Sequence, residues 1–370
     1  RQAMEGLIHD LNIMNSRSGN QVPFSSINFG TDISPEGRCV IKAFLEAVDN
    51  GVGNDNKTAI FPISIFKVKA GINRNSEDKN YDLFKFAQKV TSKRFFPNFI
   101  NLDTAFNYNE KWDINDPNRW YYEPSTMGCR TRVYENRHGE KSSVGRGNAS
   151  FTSINIVRLA LKAMKSKKTI EERKEVFFAE MDKIMSLTAN QLVERWEWQK
   201  TALAKQFPYV MKYLAEYNEG IKSSDKVENI IKHFTLSIGF IGLAEALVAL
   251  TSTIDSEGNY VKGVHHGESD EAQALGIEIV RHMHLKCKEF SEKYDLNFGL
   301  IATPAEGLSH KFTDSDKKMF GTYEGVNSRE YYTNSNHVPV YYKCSVNRKA
   351  EVEAPYHELT PAGHIFYIEM

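Results

Sequence analysis

Cysteine is scarce in this chain: Cys39, Cys129, Cys287 and Cys344 are the only four in 370 residues. They are too few and too scattered for a disulfide framework or a zinc knuckle, which points to a reducing, cytoplasmic setting. Net charge is also missing, with 47 Lys+Arg against 47 Asp+Glu. That balance excludes a sequence-wide basic surface for nucleic acid or an anionic membrane, while leaving room for a local pocket that holds a phosphorylated small molecule. No stretch reaches the roughly 18 uninterrupted apolar residues of a membrane span. The longest apolar tract, "LSIGFIGLAEALVAL" (Leu236–Leu250), is shorter and carries Glu245. The opening "RQAMEGLIHDLN" has charges on both sides of a short apolar patch and does not read as a secretory signal. Internal repeats and low-complexity segments are absent too. The first residue is not Met and the end, "AGHIFYIEM", reads as strand-like, so a piece of a longer chain is expected.

What is present is an ordinary globular composition, 41% hydrophobic and 25% charged. Short apolar runs alternate with amphipathic stretches, which predicts an α/β fold in one continuous domain. Strands are expected at Val22–Phe29, Ile60–Val68, Pro97–Asn101, Phe151–Asn155, Thr235–Phe240, Gly299–Thr303 and Val338–Tyr342. Helices are expected at Arg38–Val48, Asp82–Phe95, Thr169–Gln206, Lys226–Phe234, Leu243–Ser252, Glu271–Tyr294 and Ser309–Lys317. The longest of these opens with a capping box, Thr169-x-x-Glu172, and continues with apolar residues at helical spacing.

Four stretches have the residue types that chemistry needs. In "EPSTMGCRTRV", Glu123–Val133, small and polar residues surround Cys129, where a packing cysteine would sit among aliphatic ones. No base or second ligand accompanies it at a useful spacing, so nucleophile and metal ligand are weak readings. A neutral thiol that carries a hydrogen atom needs neither, and an inert cysteine is the plain alternative. In "VGRGNASFTSIN", Gly145, Gly147 and Asn148 mark a turn entering a strand, and Asn148 and Asn155 offer amides to hydroxyl groups. In "IATPAEGLSHKF", a strand end runs through Thr303, Pro304, Ala305, Glu306 and Gly307 to Leu308 and Ser309 at the start of a helix. Free backbone N–H groups at such a corner can hold phosphate. In "VPFSSINFGTDISPEGR", Ser25, Ser26 and Asn28 put polarity on a strand that otherwise reads as buried, and Asp32, Ser34 and Pro35 suit a helix cap. The histidines His265, His266, His282 and His284 lack a third ligand at metal spacing and read as packing or solvated residues, with no metal expected.

These stretches, with "FPNFINLD", "HHGESDEAQALG" and "YYTNSNHVPV", resemble the anaerobic, class III ribonucleoside-triphosphate reductases, which are glycyl-radical enzymes. The resemblance runs over most of the chain in the family's order, and "GCRTRV" followed by "GRGNASFTSIN" is its most specific part. It implies a ten-stranded α/β barrel with a central finger loop that carries Cys129 at its tip. It also implies reduction of ribonucleoside triphosphates to 2′-deoxy products through a thiyl radical on Cys129. Asn148 or Asn155 would orient the ribose hydroxyls, with Asn148 preferred. Thr303–Ser309 would cradle the phosphates, and Ser25, Ser26 and Asn28 would line the substrate side. The implied partners are a glycyl radical and a zinc site outside these residues, formate or a thiol reductant, and dNTP and ATP effectors. A radical activase carrying S-adenosylmethionine and a 4Fe-4S cluster is implied as well. A homodimer is expected, with no direct nucleic acid and no membrane. The family's ATP cone, an early second active-site cysteine and the glycyl-radical loop are expected outside residues 1–370, so these residues alone should bind nucleotide without turnover. Cys39, Cys287 and Cys344 match no family motif and read as structural. The alternatives are another glycyl-radical enzyme, of formate-lyase or dehydratase type, and a non-catalytic nucleotide-binding barrel.

Overall fold

A computed structural model describes residues 1–16, 18–19 and 21–368, leaving aside the side chains of residues 213 and 214. The chain divides into two compact units, Arg1–Tyr134 with Lys141–Ser143, and Glu135–Glu140 with Val144–Met370.

The first unit is built on a parallel sheet of β1 (Ser26–Phe29), β2 (Ile63–Val68) and β3 (Asn98–Asn101), in the order β1-β2-β3. All six positions of β2 are buried, as a central parallel strand covered on both faces requires. Helices α1 (Gln2–Ile13), α2 (Pro35–Asn50) and α3 (Tyr81–Arg94) accompany the sheet. Phe44, Leu45, Phe66, Ala87 and Val90 form the centre of the core, with Ile27 and Phe29 packed against it. The cap expected at Asp32–Pro35 is present: the Ser34 hydroxyl accepts the N–H of Gly37 at 3.0 Å, and Pro35 opens α2. A short antiparallel hairpin, β4 (Thr126–Met127) with β5 (Thr131–Arg132), completes this unit.

In the second unit β6 (Asn148–Asn155), β7 (Thr235–Ile241) and a later strand pair in parallel. Between β6 and β7 run α4 (Ile156–Ser166), α5 (Ile170–Gln199) and the short α6 (Glu228–Ile231). After β7 come α7 (Leu243–Thr251), the hairpin of β8 (Thr253–Ile254) and β9 (Tyr260–Val261), and α8 (Asp270–Tyr294). The third sheet strand, β10 (Asn297–Ala302), leads to α9 (Gly307–Phe320), and α10 (Val346–Glu353) follows. The capping box at Thr169 and Glu172 starts α5, which buries Phe177, Met181, Met185, Leu192 and Trp196 in the core. The longest apolar tract of the sequence is β7 followed by α7. Gly242 separates the two with φ +88°, and an added Cβ there would lie 2.2 Å from Val157 Cγ2.

The expected strand at Val338–Tyr342 is absent. Its backbone is satisfied by a side chain instead, because the Val338 N–H donates to Glu353 Oε1 at 2.9 Å and Pro339 has no N–H to offer a neighbouring strand. The chain end read as strand-like makes only a single bridge, Gly363 to Ile301, and its last two residues lie outside the described set. Helices α1, α4 and α10 were not anticipated from periodicity. Among the described residues the long strands form two separate three-stranded sheets, and no pairing that closes a ring is described.

Candidate active site

Cys129 lies in the turn between β4 and β5, half-buried, and directly follows Gly128, whose φ is +60°. The left-handed backbone makes the tight reversal, and a side chain at residue 128 would also crowd the Phe24 ring, 3.1 Å from the built Cβ position. The two legs of the hairpin are joined beneath the tip by one hydroxyl: Ser143 Oγ accepts the Ser125 N–H at 2.8 Å and donates to the Val133 carbonyl at 2.7 Å. Arg132 is buried, donating to Asn107 Oδ1 at 2.9 Å and to the Phe106 carbonyl at 2.8 Å.

Ser26 and Asn28 do touch this hairpin. The N–H of Gly128 donates to Ser26 Oγ at 2.7 Å. Asn28 Oδ1 accepts the Thr126 N–H at 3.0 Å while its Nδ2 donates to the Thr126 carbonyl at 2.9 Å. Both side chains thus bond backbone groups of the loop. The Ser25 hydroxyl, by contrast, is buried and finds no hydrogen-bond partner among the described residues.

A buried ionic group stands at the base of the same hairpin. Glu123 accepts from Lys67 Nζ at 3.1 Å, from Thr31 Oγ1 at 2.9 Å and from Trp112 Nε1 at 3.2 Å, satisfying most of its lone pairs out of contact with water. Burial lowers the Lys67 pKa, and the adjacent Glu123 carboxylate opposes that shift. The signal in the sequence was a lysine within the apolar run "ISIFKV", which sequence reading passed over.

In the second unit the parallel register places Asn148 beside Thr235 and Asn155 beside Ile241, at opposite ends of β6. The two are roughly 23 Å apart at the rise of an extended strand. With its amide turned so that the nitrogen faces the two carbonyls, Asn148 donates to Thr235 at 2.9 Å and Ser150 at 3.0 Å, bracing the bulge at the start of β6. Asn155 caps α4 by accepting the Arg158 N–H at 3.1 Å, and donates to the buried carboxylate of Asp316 at 2.7 Å. Arg158 and Tyr332 complete the Asp316 cluster at 2.6 and 2.9 Å.

Only Asn155 shares the carboxyl-terminal edge of the sheet with the Thr303–Ser309 corner. There Thr303 Oγ1 is 2.8 Å from Ser153 Oγ, and Pro304 is half-buried in the loop. Ala305 is held through both its N–H and its carbonyl by Asn334, at 3.0 and 2.9 Å. Glu306, Gly307 and Leu308 are exposed, and no side chain caps α9. Ser309 does not serve as that cap, because its buried hydroxyl turns back to donate to the Glu306 carbonyl at 2.7 Å. The Ser309 N–H turns back to the Glu306 carbonyl at 3.3 Å, and the remaining first-turn N–H groups lie at the positive end of the helix dipole, an arrangement suited to an anion.

Glu245, seen in the sequence only as an interruption of an apolar tract, is buried at the start of α7. Its Oε1 accepts the N–H and the hydroxyl of Thr333 at 2.9 and 2.6 Å, and burial raises its pKa. His266 is buried and bonded to the Asn336 carbonyl at 3.0 Å, with burial holding its pKa down at about 3. His282 pairs with Asp182 at 2.7 Å. Among the described residues no three His, Cys, Asp or Glu side chains come together as metal ligands, and no helix is long and apolar enough to cross a membrane.

Residues 1–370 match the family model described as anaerobic ribonucleoside-triphosphate reductase. The anaerobic ribonucleoside-triphosphate reductase of Escherichia coli K12 is 30% identical over 376 residues, 99% of this chain and 48% of that protein. Its counterpart from enterobacteria phage T4 is 29% identical over 377 residues, 100% of this chain and 56% of that protein. The chain thus spans about half the length of the curated relatives it matches. Among solved structures, the anaerobic ribonucleotide reductase from Thermotoga maritima with citrate in the active site has a TM-score of 0.67 at 16% identity, covering 99% of this chain and 60% of that one. The same enzyme in complex with dATP and CTP gives 0.64 at 15% identity, covering 98% and 55%. These structures share the α/β fold of this chain. By the family model that spans its whole length, the chain belongs to the anaerobic ribonucleoside-triphosphate reductase family.

Proposed function

We propose that this chain, as one catalytic domain, is the core of a cytoplasmic anaerobic reductase that converts ribonucleoside triphosphates to their 2′-deoxy forms. The observation that carries the reading is the match of all 370 residues to the family, with Cys129 at the tip of a braced hairpin. Cys129 gives its sulfur-bound hydrogen atom to a glycyl radical and becomes the thiyl that removes the ribose 3′-hydrogen. The C2′ hydroxyl then departs as water. Two reducing equivalents, from formate oxidised to carbon dioxide or from a dithiol, complete the exchange, and Cys129 returns the 3′-hydrogen. A hydrogen-atom carrier needs no base beside it. Closely set geometry and exclusion of water suit such a step.

The exposed, uncapped start of α9 supports Thr303–Ser309 as the phosphate-binding corner, through backbone N–H groups. A single ribose contacts at most one of Asn148 and Asn155, given their separation along β6. The sequence favours Asn148, whereas Asn155 is the one that shares the sheet edge with the phosphate corner. dNTP and ATP effectors, a homodimer and an activase that uses S-adenosylmethionine and a 4Fe-4S cluster belong to the same proposal. The Thermotoga maritima structures with dATP in the specificity site, and with dATP and CTP, support nucleotide ligands for this family.

The test is an anaerobic assay of the protein at its native length. It is activated with a reduced iron–sulfur activase and S-adenosylmethionine, then given CTP, formate and effectors. A glycyl EPR doublet with dCTP formed only when Cys129 is present is expected. A doublet without deoxynucleotide, under every nucleotide and reductant, points to another radical substrate and overturns the proposal. A chain that takes up no radical and only binds nucleotide overturns it as well.

A further inference from the structure

We infer that Ser26 and Asn28 are positioning residues that set where Cys129 stands, rather than contacts to substrate. This rests on the reading of Cys129 as the hydrogen-atom carrier. The two residues are i and i+2 on β1, so their side chains leave the strand on one face, while Ile27 and Phe29 go to the core on the other. Thr126 and Gly128 are also i and i+2, and they meet Asn28 and Ser26 in reverse order, as neighbouring strands in an antiparallel pair would.

The side chain of Asn28 here takes the part of a backbone peptide. Its carbonyl oxygen accepts the Thr126 N–H and its amide donates to the Thr126 carbonyl, the same exchange of two bonds that a hydrogen-bonded residue pair makes. Ser26 adds a third bond, taking the N–H of Gly128, the residue covalently joined to Cys129. On its other edge β4 is paired to β5, and Ser143 ties the legs together. The tip is therefore fixed on both sides, and on the β1 side the bonds come from the side chains of Ser26 and Asn28. Because an amide and a hydroxyl replace a strand ladder, the register depends on these two residues. A slip of two positions along β1 would carry the thiol by about 7 Å. Hydrogen-atom transfer tolerates far less, since reacting atoms need to approach to roughly 3–3.5 Å and a misplacement of about 1 Å can cost about 10²-fold.

This also gives the polar residues of the half-buried strand β1 a structural partner. The Ser26 oxygen and both ends of the Asn28 amide each bond the backbone of the loop without a ligand.

The experiment compares Asn28→Ala and Ser26→Ala with the parent protein at its native length, in three measurements. The first is the alkylation rate of Cys129 by iodoacetamide before activation, read by peptide mass spectrometry. The second is nucleotide affinity and the third is turnover after activation. Release of the tip should change the alkylation rate by about tenfold, the population shift one lost hydrogen bond permits. Turnover should fall by about 10²-fold, with nucleotide affinity within about twofold of the parent and a normal glycyl EPR signal. Ser26→Thr, which keeps the acceptor, should restore both labelling and turnover. Unchanged labelling and turnover in both alanine variants overturn the inference. So does a tenfold loss of affinity with turnover at saturation preserved, which is the signature of a substrate contact. Should Asn28→Ala fail to fold, Ser26→Ala removes one bond only and is judged by the same readouts. Labelling does not depend on radical chemistry. A Cys129→Ser protein that still turned over would remove the relay role, while the labelling result would still decide whether these two residues fix the tip.

Discussion

Asn334 holds Ala305 by both its N–H, at 3.0 Å, and its carbonyl, at 2.9 Å, across 29 residues of sequence. The loop in front of α9 is therefore shaped by the "TNSNH" segment and not by its own residues alone. Asn334→Ala removes both bonds and should cost about 1–3 kcal/mol of stability. If the corner holds phosphate, CTP affinity should fall by about tenfold with it. Calorimetric titration measures this, and unchanged CTP affinity in a destabilised variant would remove the corner from the nucleotide site.

Cys129 sits at a half-buried tip and is not among the buried residues of either core. Cys129→Ser should change stability by no more than about 0.5 kcal/mol, as for other substitutions away from packed positions. Deoxynucleotide formation should vanish altogether, because a serine O–H bond is too strong to pass its hydrogen atom back and forth. Denaturant unfolding and product analysis on the same preparation check this, and residual turnover in the serine variant would sink the relay assignment.

How much of this was legible in the sequence depends on the distance over which each residue acts. The capping box at Thr169 and Glu172, the burial stripe of α5 and the cap at Ser34 are local devices, and they stand where the sequence put them. The Cys129 loop was legible because its neighbours are polar where packing cysteines have aliphatic ones. Ser26 and Asn28 were read as polar groups needing partners, but the partner proved to be the backbone of residues about a hundred positions away, which no local pattern reveals. The strand expected at Val338–Tyr342 failed for a similar reason. Glu353, at the end of the following helix, supplies the acceptor that a neighbouring strand would have given. The Lys67–Glu123 ion pair and the Glu245–Thr333 hydrogen bonds hold buried ionisable groups over long sequence separations, invisible until the fold joins them.

Asn155 and Asn148 can be separated by experiment. Asn155→Ala removes the cap of α4, worth about 1–2 kcal/mol, and takes a donor from the buried Asp316 carboxylate. A total loss of about 2–4 kcal/mol is expected in denaturant unfolding. Asn148→Ala loses two bonds to backbone carbonyls, for about 1–3 kcal/mol. The preference for Asn148 at the ribose requires its turnover number to drop beyond what instability explains, by about 10²-fold or more for a group that orients the reacting centre. Turnover in Asn148→Ala equal to that of the parent at a temperature where both are folded transfers the role to Asn155.

Acidification should destabilise the second unit through His266. Its ring is buried and donates to the Asn336 carbonyl at 3.0 Å, and burial, followed by the neighbouring His265, lowers its pKa from the ordinary 6.5 to about 3. With the folded value below the unfolded one, the unfolded chain takes up the proton first. The stabilising contribution is complete above pH 6.5 and is lost as the pH falls towards 3. At pH 5 the loss from this residue is about 2 kcal/mol. His233 and His357, both held down to about 4 mainly by burial, act in the same direction. His266→Gln keeps a donor for the Asn336 carbonyl but has no proton to take up, so its stability should vary less with pH. The difference between parent and variant should narrow by about 2 kcal/mol between pH 7 and pH 5. Unfolding in urea at the two pH values measures it, and a difference that stays constant would mean that the folded protein protonates His266 as readily as the unfolded chain does.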